Sequence, residues 1–234
     1  MIADSITSCS YLLLGSGYCV YRLAKYSNDS VAKVLPQFII ASIGIVAVGA
    51  RSIHALFYNL LWRSYPLNPM LIAKDLEENK NDVNLLDWIL SKTAIASFVY
   101  SYYYHYKSFK IGTTVVVILS VLEILCLIEE IEATKEAKGE NRQGENTRGK
   151  IAALVKNLPL PPVIFWILSS ELLGRAVGNP LCRLANVPYA ITVWAFPREG
   201  FYIGWSIADT INDYLMLSYL IIITEGLCQA PINH

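Results

Sequence analysis

This sequence is poor in charge. Only 16% of its 234 residues are Asp, Glu, Lys or Arg, against about 25% in soluble globular chains. Acids and bases balance at 19 each, and every cluster of Lys and Arg has acids interleaved, so the basic footprint of a nucleic-acid binder is missing. Histidine is reduced to three residues, of which only His54 falls inside a membrane-like stretch. That excludes a histidine-box oxygenase and a haem held by two intramembrane histidines. The five cysteines (Cys9, Cys19, Cys126, Cys182, Cys228) are scattered without a Cys-x-x-Cys pair, and no metal site is expected. We read them as packing residues. There is no Gly-x-Ser-x-Gly, no glycine-rich phosphate loop and no His-Glu-x-x-His, so no cofactor is implied. A basic stretch and a small-residue cleavage site are also lacking at the N-terminus, so the first apolar stretch reads as a retained span.

What is abundant is hydrocarbon, 54% of the chain. A helix needs about 20 apolar residues to cross a bilayer, because lipid offers no partner to unpaired backbone groups. By that measure the sequence predicts an all-α integral membrane domain over residues 1–234, a bundle of about seven transmembrane helices, with six as the alternative. The first span runs from Ile6 to Ala24 and is closed by the polar loop "SNDS". The second, Val34 to Trp62, is about 29 residues and, at 1.5 Å per residue, roughly 43 Å as one helix. A polar loop, 63–84, leads to the third span, Leu85 to Tyr104, and a tight turn to the fourth, Ile111 to Ile131. Residues 132–150 read as a solvated charged loop. The fifth span covers Val163 to Val177, and "GNPLCRLANVP" reads as a turn. The sixth element, Tyr189 to Phe196, is too short to cross alone. The last span, Gly200 to Leu227, carries Gly200, Gly204 and Ala208 at the four-residue spacing that lets a partner helix approach closely. Basic residues flank loops on opposite faces, so the positive-inside rule does not choose an orientation. The triplet Asn28-Asp-Ser30 would accept a glycan only if the first loop were lumenal.

Ionisable residues in hydrocarbon each need a partner, a wet cavity or a neutral form. On the second element Arg51, His54, Tyr58 and Trp62 share one helical face. Glu123 lies on the fourth span, and Glu171 and Arg175 on the fifth stand at the spacing of an intrahelical ion pair. Lys92 is read as snorkelling to its near boundary. If the last helix enters lipid at Gly200, Asp209 and Asp213 lie about 13 and 19 Å along it, near the midplane. The structural reading of these two acids is a brace to Arg51, His54 or Arg175 across the bundle. The functional reading makes Asp209, Asp213, Glu171 and Glu123 the candidate acid/base groups, with Arg51, His54, Tyr58, Trp62, Arg175 and Trp205 shaping the substrate pocket.

Acid chemistry in a dry, aromatic-lined pocket suits cyclisation, isomerisation or dehydration of a lipophilic, lipid- or terpenoid-like substrate, without a cofactor or metal. In size and span count the chain resembles the small seven-helix fungal membrane terpene cyclases, which use an acid in the second helix and an aspartate in the last. Asp209 or Asp213 would fill the last-helix role, whereas the second element carries Arg51 and His54 in place of an acid. The resemblance covers topology and one residue type. Two other classes stay open: an accessory subunit of a membrane complex, packing through Gly200/Gly204/Ala208, and a small proton-coupled transporter. The expected partners are membrane lipid and a lipophilic small molecule, and the endoplasmic reticulum is the favoured membrane.

Overall fold

The computed structural model describes residues 2–31, 35–64, 85–137, 162–195 and 207–229, and the regular structure among them is entirely helical. In chain order the helices are α1 (Ile2–Val31), α2 (Pro36–Ser64), α3 (Leu85–His105), α4 (Phe109–Ala137), α5 (Pro162–Val177), α6 (Pro180–Leu184), α7 (Asn186–Trp194) and α8 (Ile207–Cys228). Three are long and apolar enough to cross a membrane, over Pro36–Ile53 in α2, Phe109–Glu129 in α4 and Thr210–Cys228 in α8.

The exterior is apolar over long stretches, and several polar residues sit inside an otherwise hydrophobic core. Ile39, Ile43 and Val46 of α2, and Ile111, Val117, Ile118, Val121 and Ile124 of α4, face outward. Ser8, Arg51, Ser101, Glu123, Asn179, Asn212 and Asp213 are inside. Contiguous exposed apolar surface on this scale would drive aggregation in water, whereas in hydrocarbon it costs nothing, and association then relies on close packing and interior polar contacts. Gly44 illustrates the packing: a Cβ there would sit 3.0 Å from the Ala94 carbonyl oxygen and 2.9 Å from the Phe98 ring, so only glycine lets α2 and α3 approach this closely.

Contacts between helices give their directions. Along the α1/α2 pair, Ser16 adjoins Gly49 while Tyr26 meets Phe38 edge-on at 5.7 Å, so the two run antiparallel. Gly44 against Phe98 and Phe38 against His105 make α3 antiparallel to α2, and the Tyr106–Ser108 turn reverses α4 again. Helix α8 is parallel to α3, since Phe98 packs on Tyr219 at 5.4 Å and, one turn on, the Tyr102 hydroxyl donates to the Ile223 carbonyl at 3.1 Å. Against α8, α7 runs the other way, with Tyr189 on Tyr219 at 5.2 Å and Thr192 accepting from Asn212 at 3.4 Å.

Three sequence expectations are corrected. "SNDS" is not a loop but the last turns of α1, which runs to Val31; the Ser27 hydroxyl is taken up by the Leu35 amide at 3.1 Å, tying the helix end to the next element. Helix α4 continues past Ile131 to Ala137, because Glu132-Ala-Thr-Lys-Glu-Ala is rich in strong helix formers even though it is too polar for lipid; the rest of the expected charged loop, 138–150, lies outside the described residues. "GNPLCRLANVP" is largely helical. Gly178, at φ 69°, turns the chain out of α5, and Asn179 caps α6 by accepting from the Leu181 and Cys182 amides at 2.9 and 3.2 Å, with Pro180 in the first position, where a missing N–H is harmless. Gly200 and Gly204 lie outside the described residues, as does the Ala208 side chain.

Asn179 does more than cap. Its amide group also donates to the Tyr106 hydroxyl at 2.6 Å and the Gly226 carbonyl at 3.0 Å, joining the α3/α4 turn, α6 and the end of α8 at one buried point. Burial raises the Tyr106 phenol above its ordinary value, against the opposing Asn179 bond, so this junction stays neutral. Asn179→Ala removes a cap and two interhelical bonds together and should cost about 1–3 kcal/mol. Thermal unfolding in detergent reads this as a clear fall in midpoint, and an unchanged midpoint would show that the junction is not structural.

Candidate functional site

Two polar sets occupy the interior at one depth. In the first, the Lys92 ammonium of α3 lies 2.8 Å from Glu123 Oε1 of α4, and the Trp166 indole N–H of α5 donates to the same oxygen at 3.2 Å. Glu123 is 5% exposed. In the second, Asp213 of α8, 1% exposed, accepts at Oδ2 from the Ser8 hydroxyl at 2.9 Å and the Cys9 thiol at 3.3 Å, both on α1. Lys92 and Asp213 each stand six residues before the Phe98/Tyr219 contact on two parallel helices, which sets both roughly 9 Å below that aromatic layer. Arg51, buried on α2, lies at about the same depth.

A second polar layer closes the other end. Arg22 of α1 grips Glu225 of α8 through both carboxylate oxygens, at 3.1 and 3.4 Å. Asp213 and Glu225 are twelve residues apart in α8, so the layers are separated by roughly 18 Å, filled by Phe98, Tyr102, Tyr219 and Leu220. Because Ser8 meets Asp213 and Arg22 meets Glu225, α1 and α8 run parallel and are pinned at both ends.

The sequence-predicted residues therefore divide. Glu123 is brought into a cluster, with Lys92 as partner rather than snorkelling freely. Glu171 and Arg175 form the expected i,i+4 pair at 2.8 Å, and Arg183 joins them at 2.9 Å, far from Asp213. The side chains of His54, Tyr58, Trp62 and Asp209 lie outside the described residues, as does all of Trp205. The depth of about 19 Å expected for Asp213 rested on helix entry at Gly200, outside the described residues; the apolar window found in α8 starts at Thr210, placing Asp213 about 5 Å inside it. Sequence reasoning missed Lys92 as a partner, although it and Glu123 are nearly equidistant from the α3/α4 turn, a symmetry that a hairpin makes into a contact. Ser8, Cys9 and Trp166 gave no such signal.

A cavity of about 290 Å³ opens over the first cluster, lined by Trp88, Ile89, Ala96, Ile124 and Trp166 together with Lys92, Glu123 and the hydroxyl-bearing Thr93, Ser97 and Ser120. Ile89 and Ile124 also face outward, so the mouth is on the apolar surface of the bundle. The site thus offers a cation and an anion in contact, two indoles, and access from the side.

Breaking one member of a buried ion pair costs more than replacing both. Lys92→Met leaves a short, buried carboxylate uncompensated and should destabilise by about 3 kcal/mol, whereas Glu123→Gln costs less, because a long lysine can swing toward water. The double variant should recover most of the Lys92→Met loss; unfolding of all three in detergent, giving equal and additive effects, would contradict a coupled pair. No protein-family model matches the chain, and no similarity to a curated protein or a solved structure emerges, so the site is read from its own geometry.

Proposed function

We propose that the chain is a multi-pass membrane protein of seven crossings that performs acid/base chemistry on a lipophilic substrate admitted sideways from the bilayer. The carrying observation is the Lys92–Glu123 pair in the wall of a cavity whose other lining mixes Trp88, Ile89, Ala96, Ile124 and Trp166 with the hydroxyls of Thr93, Ser97 and Ser120, and which opens on an apolar face. The seven-crossing reading is supported by the alternation of chain direction along the bundle, with α6 and α7 together, roughly 22 Å long, supplying the sixth pass. An internal membrane such as the endoplasmic reticulum is the setting we favour.

The Lys92 ammonium gives its proton to the substrate, at an alkene carbon in an isomerisation or cyclisation and at the departing hydroxyl in a dehydration, whose C–O bond breaks to release water; the Glu123 carboxylate takes the proton lost from the neighbouring C–H, and its return to Lys92 resets the pair with no redox change. Trp88 and Trp166, both in the cavity lining, are the aromatic groups that would stabilise developing positive charge. Asp213, with Asp209 one turn earlier on α8, stands on the opposite side of the layer as the second acid. Arg51, His54, Tyr58 and Trp62, along α2, and Trp205 remain candidate pocket residues, and Glu171 and Arg175 belong to a different surface. An accessory-subunit role is favoured by a separate observation, that Asp213, Glu123, Glu171 and Glu225 all hold partners across or along helices, as braces do.

The test is to express wild type, Glu123→Gln, Lys92→Met and Asp213→Asn at matched membrane levels and compare lipid extracts by untargeted mass spectrometry. Loss of a general acid or base removes about 10²–10⁴-fold of rate, so a conversion seen with wild type should vanish in the Glu123 and Lys92 variants. Full conversion in both sinks the reading, and altered assembly of a membrane complex with unchanged lipids selects the accessory role.

A further inference from the structure

A larger groove, about 620 Å³, lies on the other side of α5, between it and α6/α7. At its head, Glu171 Oε1 accepts from Arg175 Nε at 2.8 Å and from Arg183 Nε at 2.9 Å. Two guanidinium groups thus converge on one carboxylate, leaving a formal local charge of +1. Both pairs are made through Nε, so the terminal nitrogens remain available to a second anion, and the two arginine side chains are 67% and 48% exposed.

The depth of this head follows from packing. The Tyr103 hydroxyl donates to the Ser169 carbonyl at 3.2 Å, and Tyr103 also packs on Gly112, one turn inside the apolar window of α4 that begins at Phe109. Ser169 is therefore about 5 Å within that boundary, and Arg175, six residues on, about 4 Å outside it. Arg183 packs on Gly174 and shares that height. From there the groove descends along α7 from Asn186 to Trp194, roughly 12 Å, between apolar walls that include Ile167, Leu168, Val187 and Ile191.

We infer that this groove binds an anionic phospholipid, its phosphate across Arg175 and Arg183 and one acyl chain lying along α7 toward Trp194. Charge complementarity selects this occupant. A lipid with a zwitterionic head fills the apolar trough equally well but leaves the excess cation at the boundary uncompensated, whereas an anionic head neutralises it. The inference rests on the membrane placement proposed above and is independent of the chemistry at Glu123.

Native mass spectrometry of the full chain, released from nanodiscs of equal parts phosphatidylglycerol and phosphatidylcholine, measures the retained lipid directly. Wild type should retain phosphatidylglycerol at least tenfold over phosphatidylcholine, and Arg175→Gln/Arg183→Gln should lose that preference. Inorganic phosphate at millimolar concentration should not displace the lipid, because it lacks the chain; displacement would reduce the site to a phosphate site and overturn the lipid assignment. Should the double variant fail to fold, Glu171→Gln decides, since removing the competing carboxylate should raise phosphatidylglycerol retention several-fold. Equal retention of the two lipids by wild type, or unchanged retention in Glu171→Gln, overturns the inference. Carbonate extraction of the expressing cells' membranes, before transfer to nanodiscs, separates this failure from failure of membrane insertion, in which the protein would leave the pellet.

Discussion

A charge taken out of water must meet its partner, and that constraint organises this bundle. With an apolar exterior the helices gain little from hiding hydrocarbon from hydrocarbon, so the directional contacts fall to Ser8 and Cys9 on Asp213, Lys92 and Trp166 on Glu123, and Arg22 on Glu225. They lie in two layers with an aromatic slab between. The contacts at Glu123 tie consecutive helices, whereas those at Asp213 and Glu225 join elements distant in sequence and fix register as well as neighbours: α1 and α8 are locked in parallel by two contacts roughly 18 Å apart.

The two layers are not equivalent. Glu225 is met by a bidentate arginine, and both side chains are partly exposed, an arrangement that fits the polar edge of a bilayer. Glu123 and Asp213 are much more deeply buried and take hydroxyl, thiol, indole and ammonium donors. A side-opening cavity adjoins Glu123.

Helix content and the paired reversal of α3 and α4 were legible in the sequence because apolar length and tight turns are local signals. Helix ends are less so: Asn28-Asp-Ser30 and Glu132–Ala137 are polar and carry the composition of a loop, yet helix propensity and tertiary ties carry α1 and α4 through them. At the site, Glu123 stood out because an acid in an apolar run is conspicuous. Ser8, Cys9 and Trp166 are ordinary residues for a membrane helix, and their role exists only once α1 meets α8 and α5 meets α4. The Glu171–Arg175 pair was visible from i,i+4 spacing alone, whereas Arg183 required knowing that α6 folds back over Gly174.

The central claim is that the Lys92–Glu123 cavity opens to lipid and not to water. A nitroxide placed by Ser120→Cys, in a background without the native cysteines and reconstituted in vesicles, reports this from the cavity wall. The account predicts that dissolved oxygen, which partitions into lipid, relaxes the label far more strongly than a water-soluble nickel chelate. Stronger relaxation by the chelate would mean that water fills the cavity, and would contradict it.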